Sequence, residues 1–216
     1  GDVSEEFLYA YAPDPSPDLG EIQDASRIFD DPELRIAFEF FWFWPREWGT
    51  GKDDPAIAAF MGGNLDGAVE QWKAWADDTD EDVRLVGRHN IAVNYHLSLL
   101  DQESKTAGRN LSEADFSALD VKWRESFLWW EELADSEALW SRVTARIRML
   151  DDPRLTTGFS RRMRATFPEA FDRINALLAI RHIESNQFNR AEAHIEYMDL
   201  THADLDDVPQ TMAAVS

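Results

Sequence analysis

An all-α fold is what this sequence predicts, and three observations carry that expectation. Apolar residues recur at spacings of three and four, as one face of a helix requires; strictly alternating β-branched residues are scarce; and Gly and Pro fall in isolated positions that read as helix boundaries. The expected architecture is a set of antiparallel helical hairpins stacked as an irregular array.

The elements follow in order. Residues 1–20, GDVSEEFLYAYAPDPSPDLG, are acidic and carry Pro13, Pro15 and Pro17 at alternate positions, which opposes helix and favours an extended arm. A first helix is expected from Glu21 to about Phe29. Asp31 with Pro32 then supplies an N-cap and a proline at the first helical position, so a second helix runs through Phe43 until Pro45 stops it. On it Leu34, Phe38 and Phe41 share one face and Ile36, Phe40 and Phe43 another, an apolar girdle suited to the middle of a bundle. Asp54 and Pro55 repeat the cap signature, Gly62 and Gly63 end that short helix, and Asn64 caps the next, which carries Leu65, Ala68, Val69, Trp72 and Trp75 at helical spacing.

The acidic run DDTDED at 77–82 reads as a solvated helix–helix junction, its carboxylates placed where the dipole of the following helix favours them. That helix stays periodic to Leu100. Residues 101–111, DQESKTAGRNL, read as a loop. Ser112 and Asp115 mark the start of a long helix to Leu133, in which WWEEL places two buried indoles beside two solvated acids. Ser136 begins another helix that reaches Leu150. Asp152 and Pro153 start the next, Pro168 breaks or restarts it near Phe167, and a final hairpin runs from Pro168 to Ser185 and from Phe188 to about Leu200. The tail THADLDDVPQTMAAVS reads as frayed. The expected organisation is therefore the arm over 1–20, one helical domain over 21–200 with the segment 21–48 packed on hairpins 53–200, and the tail over 201–216.

Composition narrows the function classes. The chain has 216 residues, with 42 acidic against 21 basic side chains and a formal net charge of -21. Such a field repels phosphate, so neither nucleic acid nor an anionic membrane surface is an expected partner, and a basic protein or peptide partner is favoured over an acidic one. With no cysteine there are no disulfides, thiolate metal sites or thiol nucleophiles. No run of about 18 apolar residues and no signal-like start is present, so a cytoplasmic protein is expected, with room for a segment ahead of Gly1.

Two hairpins resemble tetratricopeptide repeats. In the last, Leu178 and Ala179 occupy the large–small pair, Phe188 the inter-helix aromatic, and Ala191 and Ile195 the second-helix positions; in the earlier one Ala56, Leu65, Ala68 and Trp72 keep the same offsets, and Asn90, Ile91, Ala92 and Tyr95 look like the first helix of a following repeat. The resemblance implies a tetratricopeptide-like array with a concave, peptide-binding groove. A second resemblance lies in ASRIFDDPELRIAFE, Ala25 to Glu39. The residues Ala25, Ile28, Phe29, Asp31, Pro32, Arg35, Phe38 and Glu39 are similar to the end of a J-domain, the co-chaperone module that stimulates the seventy-kilodalton heat-shock chaperone. The His-Pro-Asp tripeptide through which that module acts occurs nowhere in the chain, so stimulation is not expected of it. Together with the FWFWP run, the whole resembles bacterial J-domain-associated proteins of unassigned function.

The stretch FEFFWFWPREW, residues 38–48, has seven aromatic side chains in eleven positions. Phe38, Phe41, Trp42 and Trp44 are expected to form a seam between the N-terminal helices and the hairpins. The five histidines, His89, His96, His182, His194 and His202, show no metal-ligand spacing, and no HExxH, Walker, GxGxxG or GxSxG pattern is present. No cofactor, metal or catalytic residue is therefore expected. The polar set Arg88, His89, Asn90, Asn94 and His96 is the expected partner-binding surface, with Asn90 on the groove side implied by the repeat resemblance. Arg161, Arg162 and Arg164, the one basic cluster, would pair with surface acids or dock an acidic partner. The function expected is a non-enzymatic scaffold binding a protein or peptide in a helical groove, in a chaperone-associated setting. Two alternatives stand beside it: an enzyme with a small-molecule pocket near the aromatic seam and His89 or His96, and an oligomer-forming structural subunit.

Overall fold

A computed structural model describes residues 18–200 as nine α-helices and a short 3-10 turn at Gly51–Asp53, with no strand among the described residues. The protein is all-α, as its periodicity predicts. The helices are α1 Leu19–Ile28, α2 Pro32–Phe40, α3 Pro55–Met61, α4 Leu65–Ala76, α5 Glu81–Lys105, α6 Glu113–Asp135, α7 Glu137–Leu150, α8 Gly158–Glu184 and α9 Phe188–Leu200. The expected tail and nearly all of the expected arm lie outside the described residues.

Local chemistry places most boundaries where the sequence puts them. The Asp31 carboxylate accepts from the backbone of Glu33 and Leu34, Asp54 from Ala56 and Ile57, Asn64 from Gly67, and Asp80 from Asp82 and Val83. Ser112 Oγ accepts from Asp115 N–H and donates to its carboxylate. Each such cap satisfies otherwise orphaned donors and is worth about 1 kcal/mol. Asp80 lies in the DDTDED run, so those acids do form a capped junction between α4 and α5.

Three boundaries differ from expectation. α2 ends at Phe40 rather than Phe43, because the aromatic run leaves the helix to take side-chain partners described below. α5 continues to Lys105, absorbing half of the expected loop at 101–111 and carrying Glu103 into a buried position. No helix starts at Asp152: its carboxylate and carbonyl instead bind the backbone of Arg154 and Leu155 in a turn, and α8 runs unbroken through Pro168.

The described chain gathers into two compact units, one from residues 18–101 and 133–164, the other from 102–132 and 165–200. In the first, α3 and α4 form the expected hairpin, and its core is aromatic. Phe43 stacks on Trp72 with centroids 4.5 Å apart, meets Phe60 at 4.7 Å, and Phe40 stacks on Trp140 at 5.6 Å. Gly87, inside α5, lets α4 close in. A Cβ there would lie 2.4 Å from Ala76 N, 2.6 Å from Trp72 O and 2.7 Å from Trp75 C, all backbone atoms that cannot swing aside. Gly87→Ala should therefore destabilise the fold by about 1–3 kcal/mol, despite alanine's better helix propensity. A urea midpoint equal to or above the wild type would show that α4 is not held at that distance.

The second unit has its own aromatic core. Trp123 stacks on Phe127 at 5.6 Å, Phe127 meets Phe171 at 5.8 Å and Tyr197 at 5.5 Å, and Phe167 meets Phe171 edge-on at 5.0 Å. Trp130 is buried here as WWEEL predicts, whereas Trp129 is only half-buried. At the repeat-like positions Leu178, Ala179 and Ala191 are buried, but Phe188 and Ile195 are exposed, so the last hairpin does not enclose the expected inter-helix aromatic.

Candidate functional site

The aromatic run after α2 is an extended segment whose backbone is satisfied by side chains instead of by a neighbouring strand. The Asn90 amide binds both backbone groups of Trp44: Oδ1 accepts from Trp44 N–H at 2.7 Å, and Nδ2 donates to Trp44 O at 2.8 Å. His89 Nε2–H donates to Phe40 O at 2.8 Å, Arg142 donates to the carbonyls of Pro45 and Arg46, and Asp54 accepts from Arg46 N–H. Four side chains thus replace the hydrogen bonds that a helix would have supplied. The Trp44 ring stacks on the His89 imidazole with centroids 3.7 Å apart, and its Nε1–H reaches Glu39 O.

Leaving the helix changes which rings are buried. Phe40, Phe43 and Trp44 are in the core, Phe41 is half-buried, and Phe38 and Trp42 are about half exposed. The expected seam of Phe38, Phe41, Trp42 and Trp44 is corrected to Phe40, Phe43 and Trp44, and α2 is not apolar packing all round. Phe38 meets Phe29 with centroids 5.8 Å apart, and Leu34, one turn from Phe38 on α2, is also exposed, as are Leu19 and Ile22 on α1. Within this same region Arg35 and Arg146 both bind Glu39. Burial would raise the Glu39 carboxyl, but the two guanidinium groups outweigh it and hold it below the usual carboxylate range.

The polar set predicted to line a groove is mostly internal. His89 and Asn90 are wholly buried and His96 nearly so, while Arg88 and Asn94 are half-buried. Asn90 does not face an open groove, because its amide is committed to Trp44. Burial pushes the imidazoles of His89 and His96 down to about 4; the hydrogen bonds of His89 to Asn90 and Phe40 only partly oppose this, and the Arg142 charge adds to it. A histidine whose folded pKa lies below its unfolded value is neutral in the fold and takes up a proton on unfolding. Stability should therefore fall as pH drops from about 6.5 to 4, by roughly 3 kcal/mol for each of the two residues. Urea titrations across this window should show the loss in the wild type, and His96→Phe should remove about half of the slope; a flat profile would contradict burial of neutral imidazoles.

The basic cluster divides. Arg162 pairs with Glu33, whereas Arg161 and Arg164 line a cleft of about 310 Å³ between α7 and the start of α8. Trp140, Ser141, Thr144, Arg148 and Ser160 complete its walls, and Arg164 binds Glu137 at its edge.

In the second unit the structure assembles a group that spacing along the chain does not reveal. Glu103 from the end of α5, His182 from α8, and Arg190 and His194 from α9 meet in the interior. His182 Nε2 lies 2.9 Å from Glu103 Oε2, His194 Nε2 lies 3.5 Å from Oε1, Trp123 Nε1–H donates to Oε1 at 3.1 Å, and Arg190 donates to Oε2. Burial alone would raise the Glu103 carboxyl, but the two imidazoles and the Arg190 charge hold it well below the usual range. Burial lowers the His194 imidazole against the opposing pull of Glu103. Glu103 was hidden by the polar character of its neighbours, which made 101–111 read as a loop. The 12 residues between His182 and His194 correspond to no one-helix ligand pattern, since each histidine comes from a different helix of the hairpin.

No protein-family model, curated protein or solved structure matches this chain. No helix among the described residues is long and apolar enough to cross a membrane.

Proposed function

We propose that this chain is a non-enzymatic scaffold that binds a protein or peptide partner. The observation that carries the reading is the exposed apolar face of α1 and α2, where Phe29 and Phe38 touch each other in solvent and Leu34 stands beside them. Large apolar side chains that cluster at a surface mark an interaction site more often than isolated ones do. Aromatic rings supply contact area at low entropic cost, and the acidic balance of the chain steers a basic segment toward it. Compared with the groove expected around Asn90, the recognition surface moves to α2, because Asn90 works as an internal bracket. The likeness of residues 25–39 to the end of a J-domain makes components of a chaperone system the first partners to test.

The test uses the 216-residue chain as bait in native lysate at moderate salt, beside the double variant Phe38→Glu/Leu34→Glu. Both changes sit on exposed positions, so circular dichroism and the melting temperature should be unchanged. A protein retained by the wild type and lost from the variant by at least tenfold is the expected result. Equal retention by both, or retention of nothing by either, would overturn the assignment.

A further inference from the structure

We infer that Glu103, His182 and His194 form a binding site for a divalent transition-metal cation of the zinc type. One ligand atom from each residue lies within 4.8 Å of the others. The two contacts to Glu103, 2.9 and 3.5 Å, bracket the separation of roughly 3.3 Å between ligands that each lie about 2.0–2.1 Å from a tetrahedral zinc ion. Two imidazoles and one carboxylate, without thiolates, suit zinc and its first-row neighbours better than calcium or magnesium, which select all-oxygen sites.

The far ring nitrogens carry the argument further. Gln187 is held in one orientation by two backbone groups: its Oε1 accepts from Gly108 N–H at 3.3 Å, and its Nε2 donates to Arg109 O. Gln187 Oε1 also lies 3.0 Å from His182 Nδ1 and can only accept, so His182 carries its proton on Nδ1. Nε2 of the neutral ring then points a lone pair at a carboxylate oxygen that can only accept as well. Two lone pairs at 2.9 Å need a positive centre between them, either a second ring proton or a metal ion. His194 repeats the arrangement, with Nδ1 2.9 Å from Asn175 Oδ1. Buried amide oxygens that hold Nδ1–H and leave Nε2 directed inward are the outer-shell partners through which proteins orient metal-bound histidines.

Arg190 is the opposing consideration, since its guanidinium already sits on Glu103 Oε2. Protonating both imidazoles beside it would add two positive charges, and one divalent ion adds the same two. The ion, however, bonds both rings and closes the 3.5 Å gap at His194, which is too long for a good hydrogen bond. The three ligand side chains are no more than 2% exposed. The ion is therefore structural, joining α5, α8 and α9, and meets no substrate.

The chain, stripped with chelator and then equilibrated with Zn²⁺ in excess Mg²⁺ to occupy the surface carboxylates, should retain one equivalent of zinc after gel filtration. Long-range ¹⁵N–¹H spectra of the unmutated protein should show Nε2 of His182 and His194 moving to the metal-bound range, while His89 and His96 do not move. His194→Gln should reduce retained zinc at least tenfold. The ring spectra need no variant, so misfolding of His194→Gln would not leave the question open. Retention no higher than for the chelator-treated protein, or a His182 ring that keeps protons on both nitrogens at saturating zinc, would overturn the site in favour of a proton-bridged pair. Neither result bears on the partner surface at α2, which lies in the other unit.

Discussion

Replacing Glu103 by leucine should destabilise the protein by about 3–5 kcal/mol, measured by urea unfolding in chelator-containing buffer. The side chain is of similar size, so lost packing is not the main cause. Its removal leaves the Arg190 guanidinium, only 5% exposed, without the carboxylate that balances it, and strands the donors of Trp123 and His182. An uncompensated buried cation costs more than the pair contributes, which gives the prediction a second arm. Arg190→Leu added to Glu103→Leu should restore part of the loss, with a coupling of about 1–3 kcal/mol between the two changes. Strictly additive losses would mean that the charges do not sense each other, contrary to a contact in which Arg190 also binds Thr106 through both its carbonyl and its hydroxyl.

Asn90→Leu is the second large effect, expected at about 2–5 kcal/mol. It leaves Trp44 N–H and Trp44 O without their partners in a dry interior, and each unsatisfied buried backbone group costs about 1–3 kcal/mol. Hydrogen exchange reads the same bond directly. The Trp44 amide should be among the protected amides of the wild type and should exchange at least tenfold faster in the variant under native conditions. A loss below about 1 kcal/mol with unchanged Trp44 exchange would show that the aromatic segment is held by ring packing alone.

These two residues illustrate where reading the sequence succeeds and where it stops. Asp31–Pro32, Asp54–Pro55, Asn64, Ser112 and Ser136 were legible as helix starts because capping is local: the donor and acceptor lie within three residues of each other. The all-α class was legible for the same reason, since a 3.6-residue period is visible in any window longer than a few turns. Pro168 misled because a proline removes one donor but does not forbid a helix whose neighbours pack well, and α8 passes through it. Glu103 misled because polar residues at the end of a helix look like a loop until their buried partners, 79 to 91 positions further along the chain, are brought to them.

What could be known without coordinates was thus the helical class, most helix starts, the absence of thiol chemistry and the strongly acidic field, all of which follow from composition or from interactions a few residues apart. The choice among the aromatic rings was not of that kind. Phe38 and Phe40 differ little as residues, yet one faces solvent and the other the core, because Asn90 and His89 draw the chain out of its helix after Phe40 and reset the phase of everything that follows. The meeting of Glu103 with His182 and His194 was equally closed to inspection. Sequence spacing encodes which atoms share a helix face, whereas partners on three different helices are chosen by packing, and packing is decided only when the whole set of helices is in place.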